Sequence, residues 1–279
     1  MSPTCQNGPE GSRMSLSHLI DGLLGRVAPM RVVARYPHGM FGPVRVLDTH
    51  DVDGLPVRIL EVDGSWQSAT YLDDGWCELA FPYHRLYDDV LVAAHATGNV
   101  LMLGGGACAY PKYAIAHHPE ATVDVVEVDP LMLELARRHF FLDRLEERYH
   151  AQAKGRLRLH QADALDFLRT TDQRYDAILN DCFQAEEPLA SLSAPEALDL
   201  VRARLLPHGL YLINVVSALK GPDSAPLAGL LPLFGERFKT VLVLPCGADE
   251  ADLPDNNVVV ATDAAPELDG ALDASALGL

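Results

Sequence analysis

The chain has 279 residues, with 22 Lys and Arg against 39 Asp and Glu and a formal net charge of −17. Its 48% hydrophobic content suffices for a packed core, which excludes wholesale disorder. The pI near 4.9 leaves no cationic surplus to displace phosphate counterions or to dock on anionic lipid, which argues against nucleic-acid and membrane partners.

Residues 1–28 read as a disordered or partly helical tail, without the basic start and apolar run of a secretion signal. Residues 29–75 contain the short β-like runs MRVVARY, VRVLDTHDVDG, VRILEVDG and WQSATYL. Asp53-Gly54 and Asp63-Gly64 are hairpin signals between them, so a small antiparallel sheet is expected. Residues 76–96 read as a helix. From Asn99 strands and helices alternate: VLMLGGG, a helix, VDVVEVD, the amphipathic LMLELARRHFF, RLRLHQADA, ALDFLRT, YDAILND, PEALDLVRARL and GLYLINVVS. A further helix near 225–236 precedes KTVLVLP and NNVVVATD, which pair as a terminal hairpin. This rhythm predicts a mostly parallel, Rossmann-like α/β domain over residues 76–263 with helices on both faces. Residues 264–279 are rich in Ala, Gly and Asp and read as a loose tail.

Cys5, Cys77, Cys108, Cys182 and Cys246 form no CxxC pair and no zinc-spaced cluster, so neither a disulfide framework nor a metal is expected. No stretch of about 18 uncharged apolar residues occurs. A cytoplasmic location follows as the expectation.

The chemistry concentrates at strand ends. Gly104, Gly105 and Gly106 end the first strand of the α/β region and permit close approach of a ligand to the backbone. Glu127 ends the next strand about twenty residues on, placed to accept hydrogen bonds from a ribose diol. Asp163, before Ala164 at a helix start, follows the third strand, and Asp181 ends the fourth. Acids at successive strand ends around one crevice resemble the S-adenosylmethionine site of class I methyltransferase-like folds.

The run from Val100 to about Ser217 further resembles the polyamine aminopropyltransferase (spermidine synthase) family. Val100 through Gly106 matches its glycine loop, Val126-Glu127-Val128-Asp129 its V-E-I-D segment, and Gln161 through Ala164 its G-D-G/A helix start. Tyr175 through Asp181 matches its Y-D-x-I-x-x-D strand, and Asp63-Gly64-Ser65-Trp66-Gln67 its D-G-x-x-Q hairpin. The resemblance implies Glu127 on the ribose, Asp163 on the adenine, Gln67 near the nucleoside and Asp181 as the acid closest to the reacting amine. It also implies decarboxylated S-adenosylmethionine as co-substrate, a small amine as acceptor, no metal, and a homodimer.

Two positions depart from the family. Ala107 replaces an Asp that grips the aminopropyl ammonium, and Gln184 replaces a second polyamine-binding Asp. Each loss of a charge-assisted partner costs about 1.5–3 kcal/mol. Methyl transfer from intact S-adenosylmethionine is therefore an alternative, provided residue 107 faces the donor. A non-catalytic nucleoside-binding protein is another, because the nucleoside-binding residues persist. An NAD-dependent dehydrogenase rests only on the glycines and Glu127.

Glu186-Glu187 or Asp249, Glu250 and Asp252 offer substitute carboxylates, but solvated loop charge is the simpler reading. Cys108 and Cys182 read as buried thiols, His117-His118 as helix-end residues and Asn256-Asn257 as a turn. Tyr83-His84 lie near the family's Tyr-His pair, but their spacing from Glu78 differs by two.

Overall fold

Alternating patterns punctuated by Asp-Gly turns fold residues 31–71 into four sequentially paired antiparallel strands: β1 (Arg31–Gly39), β2 (Gly42–His50), β3 (Pro56–Val62) and β4 (Ser65–Tyr71). Asp63 and Gly64 join β3 to β4 with φ of 49° and 86°, the mirror-image turn that suits strand twist. The computed structural model describes residues 29–184, 187–188, 190–247 and 251–278. The expected N-terminal tail, and Glu186, Asp249 and Glu250 of the acidic runs, lie outside the described residues.

The helix expected from residue 76 begins later, as α1 (Pro82–Ala93). Pro82 takes a first-turn position, where its missing N–H is not needed. There follow β5 (Asn99–Leu103), α2 (Ala109–His117), β6 (Thr122–Glu127), α3 (Pro130–His139), α4 (Leu142–Tyr149), β7 (Leu157–Gln161), α5 (Ala164–Thr170) and β8 (Tyr175–Asn180). The chain continues through α6 (Pro195–Arg204), β9 (Leu205–Ser217), α7 (Ala225–Gly235), β10 (Thr240–Pro245), β11 (Asp255–Thr262) and β12 (Leu272–Asp273).

These strands form one sheet in the order β12-β10-β11-β9-β8-β5-β6-β7. The β7-β6-β5-β8-β9 portion is parallel, and β11 runs antiparallel between β9 and β10. Parallel strands covered on both faces need largely apolar runs, and β5 and β6 supply them with Val100–Leu103 and with Val123, Val125 and Val126 buried, while the buried Asp124 is paired with Arg158. Strand order reverses beside β5, and ligands of open α/β sheets bind at such a switch point, beyond the strand C-termini.

Three findings differ from the sequence expectations. The amphipathic run ends at Phe141, whose φ of 64° breaks the helix, and α4 follows as a separate helix. Asn256 and Asn257 lie inside β11, paired with Val216 and Val215, rather than in a turn. Leu272 and Asp273, in the segment expected to be loose, pair with Val243 and Leu242 and extend the sheet.

Two large core layers sandwich the sheet. One contains Tyr83, Tyr87, Leu91, Tyr110 and the apolar face of the N-terminal strands; the other holds Leu168, Leu198, Val201 and Phe234 from α5, α6 and α7. Among the described residues no helix is long and apolar enough to cross a membrane.

Candidate active site

The parallel register lines up the strand ends. Leu103 pairs with Val126 and Asn180, and Glu127 with Gln161. The residues following these strands therefore converge on one edge. They border a cavity of about 400 Å³ whose lining includes Gln67, Gly104, Gly105, Gly106, Glu127, Asp163, Ala164 and Asp181.

The glycine loop is shaped by close packing. Gly104 has φ +83°, and a Cβ there would fall 2.6 Å from the Asp181 carbonyl oxygen. A Cβ on Gly105 would meet Val125 Cγ1 at 2.5 Å. The freed backbone N–H groups have a defined partner: Gly105 and Gly106 donate to Glu127 Oε2 at 3.1 and 3.0 Å. Asp129 N–H donates to Oε1 at 2.9 Å. Burial raises the Glu127 carboxyl above its usual range, against these three donors. A carboxylate has about four acceptor positions, so Glu127 retains about one for a ligand.

Asp163 caps α5, its Oδ1 accepting from Leu165 and Asp166 N–H at 2.9 and 3.0 Å. No such cap bond occupies Oδ2. Gln67 and Ser68 enter from β4, and Ala164 forms the first turn of α5 beside the cavity.

Asp181 is the most constrained of the acids. Its Oδ2 accepts from the Tyr83 hydroxyl at 3.1 Å and lies 3.1 Å from His84 Nε2. Its Oδ1 is buried without a hydrogen-bond partner. Burial beside this carboxylate drives the Tyr83 hydroxyl pKa far upward, which keeps it protonated as a donor. The Tyr83-His84 pair, given little weight from its spacing, thus belongs to the site. The late start of α1 aims both side chains at the end of β8.

Further lining residues had no sequence signal that singled them out. Met40 and Phe41, at the tip of the β1–β2 hairpin, line the cavity although 55% and 46% exposed. Met40 N–H donates to Asp129 Oδ2 at 3.1 Å, which pins the hairpin tip to the N-cap of α3. Met102 and Met132 add apolar wall, and Asp63 adds a fourth carboxylate. No Lys or Arg borders the cavity among the described residues.

Ala107 does not face the cavity. Its side chain is 1% exposed and belongs to an apolar cluster with Val44, Val46, Leu60, Met132, Leu135 and Phe140.

The remaining candidates have structural roles. Cys108 is the buried N-cap residue of α2, its thiol pKa pushed up to about 12 by burial. Cys182 borders the cavity, and burial raises its thiol too, so neither is a thiolate near neutral pH. His117 and His118, at the end of α2, bond Glu78 and Asp88 at 2.9 and 2.7 Å. Among the described residues no group of three or more His, Cys, Asp or Glu has metal-holding geometry.

A spermine/spermidine synthase domain matches residues 80–217. Residues 80–217 thus carry a domain of the spermine/spermidine synthase family. It is 27% identical over 175 residues to a polyamine aminopropyltransferase of Vibrio vulnificus, covering 62% of this chain and 55% of that protein. It is 30% identical over 148 residues to the human eEF1A lysine and N-terminal methyltransferase, covering 48% of this chain and 20% of that one. The matched regions thus span about half of the one relative and a fifth of the other. A probable spermidine synthase from Corynebacterium glutamicum superposes with a TM-score of 0.70 at 21% identity, over 88% of this chain and 86% of that one. The relatives named are transferases of two kinds.

Proposed function

We propose that this protein transfers an aminopropyl group from decarboxylated S-adenosylmethionine to the nitrogen of a small amine. One observation carries the reading: among the described residues the cavity is bordered by Asp63, Glu127, Asp163 and Asp181 and by no Lys or Arg. Such a lining favours a sulfonium and an ammonium. A donor that keeps its α-carboxylate adds, beside its own α-ammonium, an anion among four acids with no Lys or Arg of the described residues to pair it, a desolvation penalty of about 1–3 kcal/mol.

In this reading the backbone of Gly104–Gly106 lets the nucleoside approach closely. Glu127 takes one ribose hydroxyl on its remaining acceptor position, Asp163 accepts from the adenine amino group through Oδ2, and Ala164 and Gln67 border the nucleoside. The acceptor nitrogen attacks the carbon attached to sulfur with its lone pair. The C–N bond forms as the C–S bond breaks, and sulfur leaves as a neutral thioether. The proton shed by nitrogen passes to Asp181 Oδ1. Tyr83 and His84 hold the other carboxylate oxygen and so fix the direction of Oδ1.

The likeness to the human methyltransferase supports methyl transfer as a second reading. Incubation with each donor and a set of linear amines, followed by mass measurement of the amine, separates the two. A gain of one aminopropyl unit supports the first reading, and a gain of one methyl group replaces it with the second. An unchanged amine with either donor refutes both.

A further inference from the structure

Met40 and Phe41, the two residues between β1 and β2, are large apolar side chains left mostly in solvent, yet both border the cavity. A lone exposed apolar residue needs no explanation, but two neighbours at the rim of a ligand cavity do. The backbone holds them there. A Cβ on Gly39, just before the pair, would fall 2.6 Å from the Gly42 carbonyl oxygen. Gly42, just after it, has φ +122°, and a Cβ there would meet Asp63 Cβ at 2.8 Å. The two glycines thus let the tip turn tightly and rest on the β3–β4 turn.

One buried acid ties this tip to Glu127. Asp129 is 4% exposed. Its Oδ1 accepts from Leu131 N–H at 2.9 Å and caps α3, while its Oδ2 accepts from Met40 N–H at 3.1 Å. Its own N–H donates to Glu127 Oε1 at 2.9 Å. Tip, helix and Glu127 therefore meet at one residue. Val128, immediately before it, and Met132, in the first turn of α3, also border the cavity. Ala162 borders it from the end of β7, where its N–H donates to Glu127 O at 3.1 Å, and Asp163 follows. Apolar surface with one polar group at its rim suits a flat heteroaromatic base.

We propose that Met40 and Phe41 close over the purine of the donor, and that Asp129 is the positioning residue that holds this cover in register with Glu127. The N-terminal sheet then supplies part of the donor's binding energy through apolar burial, in addition to the polar contacts from the strand ends. The inference rests on the sulfonium-transfer reading and assigns the outer wall of its donor site.

The test is calorimetric titration of the full chain with 5′-methylthioadenosine, applied to a double-mutant cycle of Phe41→Ala and Asp129→Asn. An asparagine has one side-chain oxygen, which can cap α3 or accept from Met40 N–H but cannot do both as Asp129 does. Each single variant is expected to weaken binding about tenfold or more. The double variant should lie within about threefold of the weaker single one, because both act through the same cover. Asp129→Ser, which also caps with one oxygen, serves if Asp129→Asn does not fold.

Phe41→Trp adds a spectroscopic readout. Trp66 and Trp76 are buried, so the new indole is the solvent-facing one, and its emission should shift to shorter wavelength on saturation with the nucleoside. Binding by Phe41→Ala within about threefold of wild type, independent losses in the cycle, or an unshifted emission from saturated Phe41→Trp overturns the cover alone. Failure of the wild type to bind the nucleoside overturns the sulfonium-transfer reading and this inference together.

Discussion

Gly104 and Asp181 are in van der Waals contact across the strand ends: a Cβ at 104 would lie 2.6 Å from the Asp181 carbonyl oxygen. The loop proposed to receive the nucleoside and the acid proposed to take the proton thus rest on one another. Asp181 N–H donates to Leu103 O at 2.9 Å, which closes the same junction.

Gly104→Ala tests this junction. The positive φ alone costs an alanine about 1–2 kcal/mol, and the contact adds to it. The variant should lose about 2 kcal/mol or more of stability in chemical denaturation and bind nucleoside poorly even where folded. Wild-type stability in this variant would show that the junction yields freely.

Asp181→Asn removes the proton acceptor while keeping the side-chain shape. Turnover should fall about 10²–10⁴-fold, with donor affinity changed by less than a few fold. Tyr83→Phe removes one hydrogen bond to a charged group, so kcat should fall about tenfold or more with little change in donor binding. Equal losses of donor binding and turnover would mark Asp181 as a donor-site residue instead.

Glu127→Gln should weaken donor binding by about ten- to a hundredfold in calorimetry. Its carboxyl is raised by burial, and the ionised form is the one that accepts. Donor affinity should therefore decline as pH falls, beginning at a higher pH than an ordinary glutamate requires. A pH-independent affinity across the acid range would contradict the assignment.

Lys112 makes a separate prediction about stability. It is 1% exposed, donating to Thr70 Oγ1 at 2.9 Å and Trp76 O at 3.2 Å, and it forms no salt bridge among the described residues. Burial lowers its pKa to about 8. The folded state then binds fewer protons than the unfolded state between about pH 8 and the ordinary lysine value, so this group's contribution rises with pH across that window. Below pH 8 the full penalty applies. Lys112→Met should stabilise the protein near pH 7 by about 1–3 kcal/mol. The difference from wild type should shrink above pH 8, and denaturant melts at several pH values measure it. A constant difference would remove the charge from the explanation.

Much of this site was legible because the order of a parallel sheet turns residues distant in sequence into neighbours at one edge. The glycines, Glu127, Asp163 and Asp181 each end a strand, and the strand pattern was strong in the apolar runs. Gln67 was found only through its hairpin motif. What escaped notice depends on packing between layers. Met40 and Phe41 reach the cavity because Asp129 pins their hairpin, a bond between residues 89 positions apart. Tyr83 and His84 gain their role from where α1 begins, which Pro82 sets. Ala107 reads as a donor-facing position by alignment with its family, yet its methyl group is packed among Val44, Met132 and Phe140. Asn256-Asn257 has turn composition, but Asn257 donates to the Val215, Ser217 and Asp255 carbonyls within the sheet. Such bonds offset the burial of an amide pair in a strand.

The central claim is that a cavity lined by four acids and, among the described residues, no Lys or Arg selects the donor without a carboxylate. Calorimetric titration with decarboxylated S-adenosylmethionine and, separately, with the intact compound tests it most directly. The predicted result is a preference of tenfold or more for the decarboxylated donor, about 1.4 kcal/mol. Equal affinities, or tighter binding of the intact donor, would contradict the claim and leave methyl transfer as the reading to pursue.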